Sequence, residues 1–393
     1  MFSFAAMTDK FPLIVKTSFG FEDILIDELT SLGASNIEKL TRAVLFEADM
    51  ELMYKVNLWS RVALRVLKPL KKFPAASEQQ LYDEVKKIEW DTYLSADDTL
   101  AVDAVVNESK LTHSLYVAQK TKDAIVDMLR DKTGKRPNVE LNNPTLRIHI
   151  HIYEDEAEIS FDSSGESLHK RGYRQQQVEA PLNETLAAAM ILLSDWDKKS
   201  PFTDLMCGSG TIAIEAAMMA RNIPPGFLKG QFGFHRWKDF DAALWTKLID
   251  EAKTNVKEKL DFPIVAIDKS YQAIDIAKLN AQVAGVQNDI DFLAMPFEDY
   301  TPKETAAGTI VTNPPYGGRI TDEDLFTLYK DIGSALKKKF TGWNAWILTA
   351  NKEAANQIGL RASRKIALYN GPIECRLLKY QMYSGTKKMK PQD

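Results

Sequence analysis

The chain has 393 residues, of which 45% are hydrophobic and 26% are charged. This composition excludes a disordered chain, and the length predicts two or three domains, each able to bury a core. The formal net charge of −4 excludes a globally basic chain, so any site for a polyanion must be a local basic surface.

Residues 1–66 predict a small unit of alternating strands and helices. Apolar spacing and turn residues indicate a strand, a helix, two strands and a helix over "FPLIVKTS", "FEDILIDELTSLG", "ASNIEKL", "AVLFEAD" and "MELMYKVNLWSRVALRVL". A β-α-β-β-α order is typical of a ferredoxin-like α+β fold. We therefore assign this segment to a ferredoxin-like subdomain.

Residues 67–166 continue with an α/β pattern. The pattern predicts helices over "SEQQLYDEVKKI" and "HSLYVAQKTKDAIVDMLRDKTG", and strands over "TLAVDAVV", "LRIHIHIY" and "EAEISFD". In "RIHIHIY" the isoleucines share one strand face and Arg147, His149 and His151 share the other. We expect the histidine face to be solvated and not to bind a metal.

The pattern changes in residues 167–385, where apolar strands alternate with long helical stretches. This alternation predicts βαβ units and a mostly parallel sheet. In open sheets of this kind, ligands bind at the carboxyl ends of the strands. Motifs at those strand ends are therefore the candidates for function.

The stretch "PFTDLMCGSGTIAIEAAMMA" predicts a strand, a glycine turn and a helix, which together present backbone N–H groups to a ligand. Gly208, Gly210 and Ala213 also satisfy the G-x-G-x-x-A pattern of dinucleotide sites. The turn alone also fits a tight turn with no ligand. Asp204, just before it, would repel a pyrophosphate and attract an ammonium group.

Two further strand ends add to this turn. Asp268 lies 58 positions after Gly210, whereas the ribose acid of a dinucleotide site follows the glycines by about 20. Its carboxylate is placed to accept hydrogen bonds from a ribose diol, and Met295, Pro296 and Phe297 are candidate walls for an adenine. An ammonium partner, a ribose partner and an apolar wall predict S-adenosyl-L-methionine as the cofactor.

The sequence "NPPYGG" follows a fourth predicted strand and is the candidate catalytic loop. Pro314 and Pro315 stiffen the backbone and bias Asn313 toward an extended conformation. Fixed acceptors around the hydrogens of a base amine would stabilise the charge that develops during methyl transfer. Tyr316 supplies a ring on which an extruded base can stack.

The chain resembles the THUMP-domain RNA methyltransferases, most closely the bacterial guanine-N2 23S rRNA enzymes of the RlmL type. The shared features are the ferredoxin-like start, the linker "SLHKRGYRQQQVEAPLNETLAAA", the turn "DLMCGSGT", the insertion "PPGFLKGQFGFHRW" and the loop "NPPYG". The resemblance implies a THUMP RNA-binding domain at 67–166. It also implies a Rossmann-like class I methyltransferase domain with a seven-stranded sheet at 167–385, preceded by a linker. Some relatives carry a second methyltransferase domain, and here we expect a single methyl-transfer site.

Motif matching carries the family's site residues to this chain. A pre-turn segment with Pro181, Leu182, Asn183 and Thr185 is implied to lie near the methionine end of the cofactor. The predicted cofactor-binding residues are Pro181, Asn183, Thr185, Asp204, Cys207, Gly208, Ser209, Gly210, Asp268, Met295, Pro296, Phe297 and Asn313. The predicted catalytic residues are Asn313, Pro314, Pro315 and Tyr316.

Local clusters of basic residues give the RNA hypothesis separate support. Each cluster alone is more often a solvated face than a phosphate site. The predicted RNA-binding residues are Lys68, Lys71, Lys72, Lys135, Arg136, His169, Lys170, Arg171 and Arg174. Further basic groups in the second half are Lys337, Lys338, Lys339, Arg361, Arg364 and Lys365.

The hypothesis is an enzyme that methylates the N2 amine of a guanosine in 23S rRNA. The "NPPY" loop is shared with DNA adenine-N6 methyltransferases, so it does not identify the base. A tRNA guanine-N2 methyltransferase is a second alternative. A non-catalytic RNA-binding assembly factor with a relic cofactor fold is a third.

Cys207 and Cys375 are the two cysteines, too few for a disulfide framework or a cysteine-ligated zinc. The five histidines form no HExxH motif, and we expect no metal. No segment approaches the roughly 20 apolar residues that span a bilayer. We therefore expect a cytoplasmic protein with an RNA partner and no membrane, and the sequence leaves the oligomeric state open.

Overall fold

A computed structural model describes residues 10–176, 182–303, 306–317 and 321–383. The chain divides into two compact units, one formed by residues 1–170 with 229–251 and the other by 171–228 with 252–393. Within the described ranges, no helix combines the length and the apolar character that a membrane span requires.

The first unit contains a sheet of eight strands in the order β2-β3-β1-β4-β8-β7-β5-β6. Its strands are β1 (Phe11–Thr17), β2 (Ser35–Leu40), β3 (Ala43–Ala48), β4 (Ala63–Pro74), β5 (Thr99–Asn107), β6 (Asn138–Val139), β7 (Leu146–Tyr153) and β8 (Glu156–Asp162). Its first helices are α1 (Glu22–Ser31), α2 (Met50–Trp59), α3 (Glu78–Lys86) and α4 (Ser114–Thr133). Because β4 pairs with both β1 and β8, one sheet runs through the two predicted N-terminal modules.

The prediction of one helix from Met50 to Leu67 was wrong in its second half. The helix ends at Trp59, and β4 begins at Ala63. The carboxylate of Glu28 accepts hydrogen bonds from Ser60 Oγ (2.7 Å) and from the backbone N–H of Arg61 (3.0 Å). These bonds hold the chain in a turn where a continued helix would use the same backbone groups.

The isoleucines and the histidines of β7 lie on different faces of the strand, as predicted. The histidine face, however, is not fully exposed to solvent. Ile148, Ile150 and Ile152 are fully buried, whereas His149 and His151 are half-buried. Burial, aided by the nearby charge of Lys16, lowers the pKa of His149 to about 4. His149 is therefore neutral at physiological pH. Among the described residues, no three side chains group as metal ligands.

The second unit contains a sheet of seven strands in the order β11-β10-β9-β12-β13-β15-β14. Its strands are β9 (Phe202–Asp204), β10 (Ile264–Asp268), β11 (Ile290–Ala294), β12 (Thr309–Thr312), β13 (Asn344–Thr349), β14 (Arg364–Asn370) and β15 (Ile373–Gln381). The remaining helices of the chain are α5 (Glu184–Leu193), α6 (Thr211–Ala220), α7 (Ala242–Thr254), α8 (Tyr271–Val283), α9 (Asp322–Lys339) and α10 (Lys352–Gln357). Strands β9 to β13 are parallel, and β15 runs antiparallel to its neighbours β13 and β14, which confirms the Rossmann-like fold.

Parallel pairing decides where the motifs of this sheet lie. β9 lies between β10 and β12, so the residues that follow these three strands emerge at one edge. Ile310 and Ile347, on adjacent strands, share a fully buried core with Leu325 and Tyr329 of α9. Burying a side chain of this size stabilises the fold by about 1.5–3 kcal/mol, so the core fixes the strand ends in position.

The segment 229–251 interrupts the second unit in sequence and packs within the first. Phe234 is fully buried and stacks on Tyr54 of α2 at a ring-centroid distance of 4.4 Å. Phe232 and Trp245 surround the same ring, at 5.3 and 5.2 Å from Phe234. A fragment without residues 1–166 would leave this aromatic cluster without Tyr54. Any fragment that is meant to contain the folded first unit therefore has to include residues 229–251.

We predict that Phe234→Ala lowers the free energy of unfolding of the first unit by about 3 kcal/mol or more, because it leaves a cavity among packed rings. Urea denaturation of the full chain measures the change. The matched control is Phe19→Ala, since Phe19 is 51% exposed. Equal effects of the two substitutions would contradict the packing of residues 229–251 in this core.

Candidate functional site

The glycine turn connects β9 to α6 with two residues in the left-handed region, Gly208 at φ 52° and Gly210 at φ 84°. A Cβ atom at Gly210 would lie 2.9 Å from the Cβ of Ala277, so a larger residue does not fit there. The backbone N–H of Cys207 donates to the carbonyl of Ile267 on β10 (2.8 Å). The turn is thus held tightly against the neighbouring strand and α8.

Asp204, the last residue of β9, is a buried carboxylate with an incomplete set of partners. It is 1% exposed, and its Oδ1 accepts from the backbone N–H of Met206 (3.3 Å). Its Oδ2 has no hydrogen-bond partner in the described part of the chain. Burial raises the pKa of Asp204 to about 7; the hydroxyl of Thr312 offsets part of the rise, and the charge of Asp268 adds to it.

Asp268, at the end of β10, holds the turn and faces the same space. Its Oδ2 accepts from the backbone N–H of Gly208 (3.0 Å), and its Oδ1 accepts from the N–H of Ser270 (2.9 Å). A carboxylate has about four lone-pair sites, so further acceptor capacity remains on both oxygens. Asp268 can therefore position the turn and accept hydrogen bonds from a ligand diol at the same time.

The loop that follows β12 presents Asn313 and Tyr316. The Asn313 Oδ1 is buried and has no hydrogen-bond partner among the described residues. The Tyr316 hydroxyl accepts a hydrogen bond from Nδ2 of Asn370, the last residue of β14, at 2.7 Å. The side-chain acceptor of Asn313 is thus left available, while the ring of Tyr316 is tethered to the antiparallel end of the sheet.

These strand ends surround one cavity of about 900 Å³. The predicted site residues that line it are Asp204, Cys207, Gly208, Ser209, Asp268, Pro296, Phe297, Asn313, Pro314, Pro315 and Tyr316. Leu182 of the pre-turn segment lines it as well. The lining residues that sequence reasoning missed include Thr211, Ile212, Lys269, Glu298, Asp324, Thr327, Leu328, Asp331, Asn370 and Ile373.

Of the predicted cofactor residues that the structure describes, four do not line the cavity, namely Asn183, Thr185, Gly210 and Met295. Gly210 packs against Ala277, and Met295 joins the edge of an apolar core. Asn183 Oδ1 accepts from the backbone N–H (2.9 Å) and the hydroxyl (2.6 Å) of Thr185, which caps the first turn of α5. Pro181 lies outside the described residues.

Most of the predicted RNA-binding residues contact other residues of their own unit. In the first unit, Lys68, Lys71, Lys72, Lys135 and Lys170 each pair with an acid, namely Asp239, Glu84, Glu158, Asp97 and Glu166. There, His169 Nδ1 lies 2.8 Å from Ser167 Oγ, and Arg136 is exposed. In the second unit, Arg171 is 2% exposed and pairs with the buried Glu215.

The hydrogen bonds of two residues, Arg174 and Asn280, explain why part of the basic linker is not at the surface. Arg174 donates to Glu184 (2.8 Å), to the carbonyl of Leu182 (2.8 Å) and to Thr211 Oγ1 (3.2 Å). The buried Asn280 accepts from the N–H of Gln175 (3.0 Å) and donates to the carbonyl of Ser209 (3.1 Å). Arg174 and Asn280 thus position the linker beside the cofactor turn.

Comparison with known proteins gives three family matches along the chain. The profile of RMKL-like methyltransferase domains matches residues 171–379, the THUMP domain matches 75–162, and the RlmL ferredoxin-like domain matches 12–67. A Synechocystis protein named as a proposed RNA methyltransferase is 39% identical over 95% of this chain and 97% of its own length. Together these matches cover both units.

The chain is also similar to a relative with a named activity and to a solved structure. The ribosomal RNA large subunit methyltransferase K/L of Methylococcus capsulatus is 42% identical over 92% of this chain. The chain spans about half the length of such K/L enzymes, 50% in this case. The crystal structure of SMU.472, a proposed methyltransferase complexed with SAH, is 33% identical with a TM-score of 0.86 and covers 97% of this chain and 100% of that one.

We predict that the affinity for S-adenosyl-L-homocysteine rises about tenfold as pH increases from about one unit below to about one unit above the pKa of Asp204, which is about 7. The ionised carboxylate would pair with the ligand ammonium, whereas the protonated form would not. Calorimetry at a series of pH values measures this, and Asp204→Asn should flatten the profile. The exposed Asp275→Asn is the control, and a flat wild-type profile would contradict the pairing.

The raised pKa of Asp204 also predicts the direction in which the stability of the ligand-free protein changes with pH. As pH rises from about 4 to about 7, the unfolded chain loses this proton while the folded protein retains it, so ligand-free protein becomes less stable. Asp204→Asn should therefore stabilise the ligand-free protein above neutral pH while weakening ligand binding.

Proposed function

The chain belongs to the RMKL-like methyltransferases with ferredoxin-like and THUMP domains, and we propose that it transfers a methyl group from S-adenosyl-L-methionine to the N2 amine of a guanosine in 23S rRNA. The observation that carries the proposal is one cavity lined by Asp204 and Asp268 and also by Asn313 and Tyr316. Cofactor-type and base-type contacts thus share one space. The names of the K/L relatives support rRNA as the substrate class.

The residues present fit the cofactor. The unpartnered Oδ2 of Asp204 matches an ammonium group, and the remaining acceptor sites of Asp268 match ribose hydroxyls. Pro296 and Phe297 give the cavity an apolar wall that suits an adenine. When bound, the cofactor supplies an electrophilic methyl group on a sulfonium.

Asn313 would act on the amine that receives the methyl group. Its unpartnered Oδ1 can accept a hydrogen bond from the amine, which draws the nitrogen toward a pyramidal geometry and stabilises the positive charge that develops. Pro314 and Pro315 fix the backbone of the loop. Tyr316, tethered through Asn370, offers its ring to the base.

The alternative functions differ in the nucleic acid that is methylated, in the base that is methylated, or in whether the protein is an enzyme. The THUMP match at residues 75–162 favours RNA over DNA and so disfavours an adenine-N6 DNA methyltransferase. A tRNA guanine-N2 enzyme would use the same site, and the K/L relatives favour rRNA over tRNA. An assembly factor that binds no cofactor would leave Oδ2 of Asp204 without a partner at 1% exposure, which destabilises the fold. A 23S rRNA substrate also implies that the protein acts in the cytoplasm.

The product identifies the activity directly. We predict that the full chain transfers labelled methyl from S-adenosyl-L-methionine to unmodified 23S rRNA, and that nucleoside analysis finds N2-methylguanosine. Total tRNA and duplex DNA are offered in parallel under the same conditions. N6-methyladenine in DNA, or label confined to tRNA, would overturn the assignment in favour of the corresponding alternative.

We also predict that Asn313→Ala lowers kcat by about 100-fold or more, the range seen when one preorganised hydrogen-bonding group is removed from a site of developing charge. Affinity for S-adenosyl-L-homocysteine should change little, since Asp204 and Asp268 remain. Single-turnover methylation and calorimetry measure the two effects. Asn356→Ala, at an exposed position of α10, is the control. Wild-type turnover by the Asn313 variant would remove Asn313 from the mechanism.

A further inference from the structure

The tip of the hairpin formed by β14 and β15 belongs to the mouth of the cavity. Asn370 faces Ile373 across a two-residue turn in which Gly371 adopts φ 60°. Asn370 and Ile373 both line the cavity, and Asn370 holds the hydroxyl of Tyr316 at 2.7 Å. The tip of this hairpin therefore lies beside the ring proposed to stack the target base.

The hairpin is also strongly basic for this chain. Residues 361–381 contain Arg361, Arg364, Lys365, Arg376 and Lys379 against the single acid Glu374, a balance of 5 − 1 = +4 in a protein of net charge −4. Arg364 and Lys379 lie near Asp195, at 3.7 and 4.0 Å. Arg361 and Lys365 are exposed and form no ion pair with any residue that the structure describes. The surplus charge is thus presented to solvent.

A second part of the cavity rim, at the start of α9, carries the other sign of charge. The first turn of α9 contains Asp322, Glu323 and Asp324, all exposed, and Asp324 lines the cavity with Asp331 from the same helix. Like charges repel, so a polyphosphate strand is disfavoured along this rim. The two parts of the rim therefore differ, and the hairpin part is the one that complements a nucleic-acid backbone.

One face of the hairpin combines cations with an aromatic ring. The strand register places Ala367 opposite Arg376 and Tyr369 opposite Glu374, so Lys365, Tyr369 and Arg376 share a face with Glu374, which lies 4.0 Å from Arg376. All three are exposed, with Tyr369 at 36%. An aromatic ring next to cationic side chains can bind single-stranded nucleic acid through base stacking and phosphate contacts.

We propose that the β14–β15 hairpin binds the single-stranded RNA that flanks the target nucleotide, with Tyr369 stacking a neighbouring base and Lys365 and Arg376 contacting phosphates. The inference rests on the proposed RNA methyltransferase function and gives it a substrate-binding surface within the catalytic unit. The strand would pass over the hairpin tip into the cavity, where Asn370, on the opposite face of β14 from Tyr369, contacts Tyr316.

The test uses the full chain, unmodified 23S rRNA as the probe, and Lys365→Ala/Arg376→Ala. Two lost phosphate contacts should raise the KM for RNA about tenfold or more and reduce the slope of log Kd against log salt by about 1.4. The value of kcat and the affinity for S-adenosyl-L-homocysteine should not change. Lys278→Ala/Lys352→Ala removes the same charge from exposed helix positions of the same unit and should leave all four quantities at wild type.

The aromatic residue has its own pair of variants. Tyr369→Leu should raise the KM for RNA about tenfold, and Tyr369→Phe should retain wild-type KM, because stacking needs the ring and not the hydroxyl. If an alanine pair lowers the melting temperature, Lys365→Gln/Arg376→Gln replaces it. Ultraviolet crosslinking of bound RNA, read by mass spectrometry, should mark peptides within residues 361–381.

The outcomes separate this inference from the proposed function. If wild-type protein methylates RNA but the hairpin variants match the control pair in KM and salt slope, the hairpin proposal is wrong while the function stands. If wild-type protein binds RNA with crosslinks in the hairpin but transfers no methyl group, the function is wrong while the surface stands. Crosslinks that avoid residues 361–381 contradict the hairpin proposal in either case.

Discussion

The end of β9 holds a carboxylate that the protein alone does not satisfy. Asp204 is 1% exposed and its Oδ2 has no partner among the described residues. An unpaired polar group of this kind costs folding free energy, on the order of 1–3 kcal/mol or more. The parallel neighbours of β9 place Asp268 and Asn313 at the same edge, and Asn313 also has an unpartnered buried oxygen. A ligand in the cavity would supply partners for both acceptors.

The surrounding contacts serve to keep these acceptors in place. Asn280 joins the linker to the carbonyl of Ser209, and Arg174 joins it to Thr211 at the start of α6. On the other side of the cavity, Asn370 tethers the hydroxyl of Tyr316. None of these three residues belongs to the glycine turn or the "NPPY" loop. Each acts through a residue of those motifs, so the site depends on distant segments of the chain.

Much of the fold follows from local patterns in the sequence. Most strands and helices of the first unit, and β9 to β12 of the second, follow from apolar spacing, whereas the number of strands in the second sheet was implied by the family resemblance. The two motifs fall at the strand ends expected of an open α/β sheet. The segment "VALRVL" was assigned wrongly because its apolar spacing also fits a helix. The turn before it depends on Glu28, about 30 residues earlier in the chain.

For the site as well, local sequence patterns do not predict the contacts of some basic residues or of the residues that hold the motifs in place. Arg171 reads as a surface cation in "HKRGYR", yet it is buried against Glu215, 44 positions away. Asn370 has no local signature, because its partner Tyr316 lies 54 positions earlier. The segment 229–251 is rich in aromatic residues, but its sequence does not show that the backbone N–H of Asp241 donates to the hydroxyl of Tyr54, 187 positions earlier. Sequence shows which groups are present, and the tertiary fold decides what they contact.

The central claim is that one cavity holds the cofactor and a guanine amine together. Its most direct measurement is calorimetry with a bisubstrate compound in which guanine N2 is joined by a short linker to the sulfur-bearing end of the cofactor. We expect this compound to bind more tightly than S-adenosyl-L-homocysteine and than the matching adenine-N6 compound, with affinity reduced in both the Asp204 and the Asn313 variants. Binding no tighter than S-adenosyl-L-homocysteine, or a preference for the adenine compound, would contradict the account.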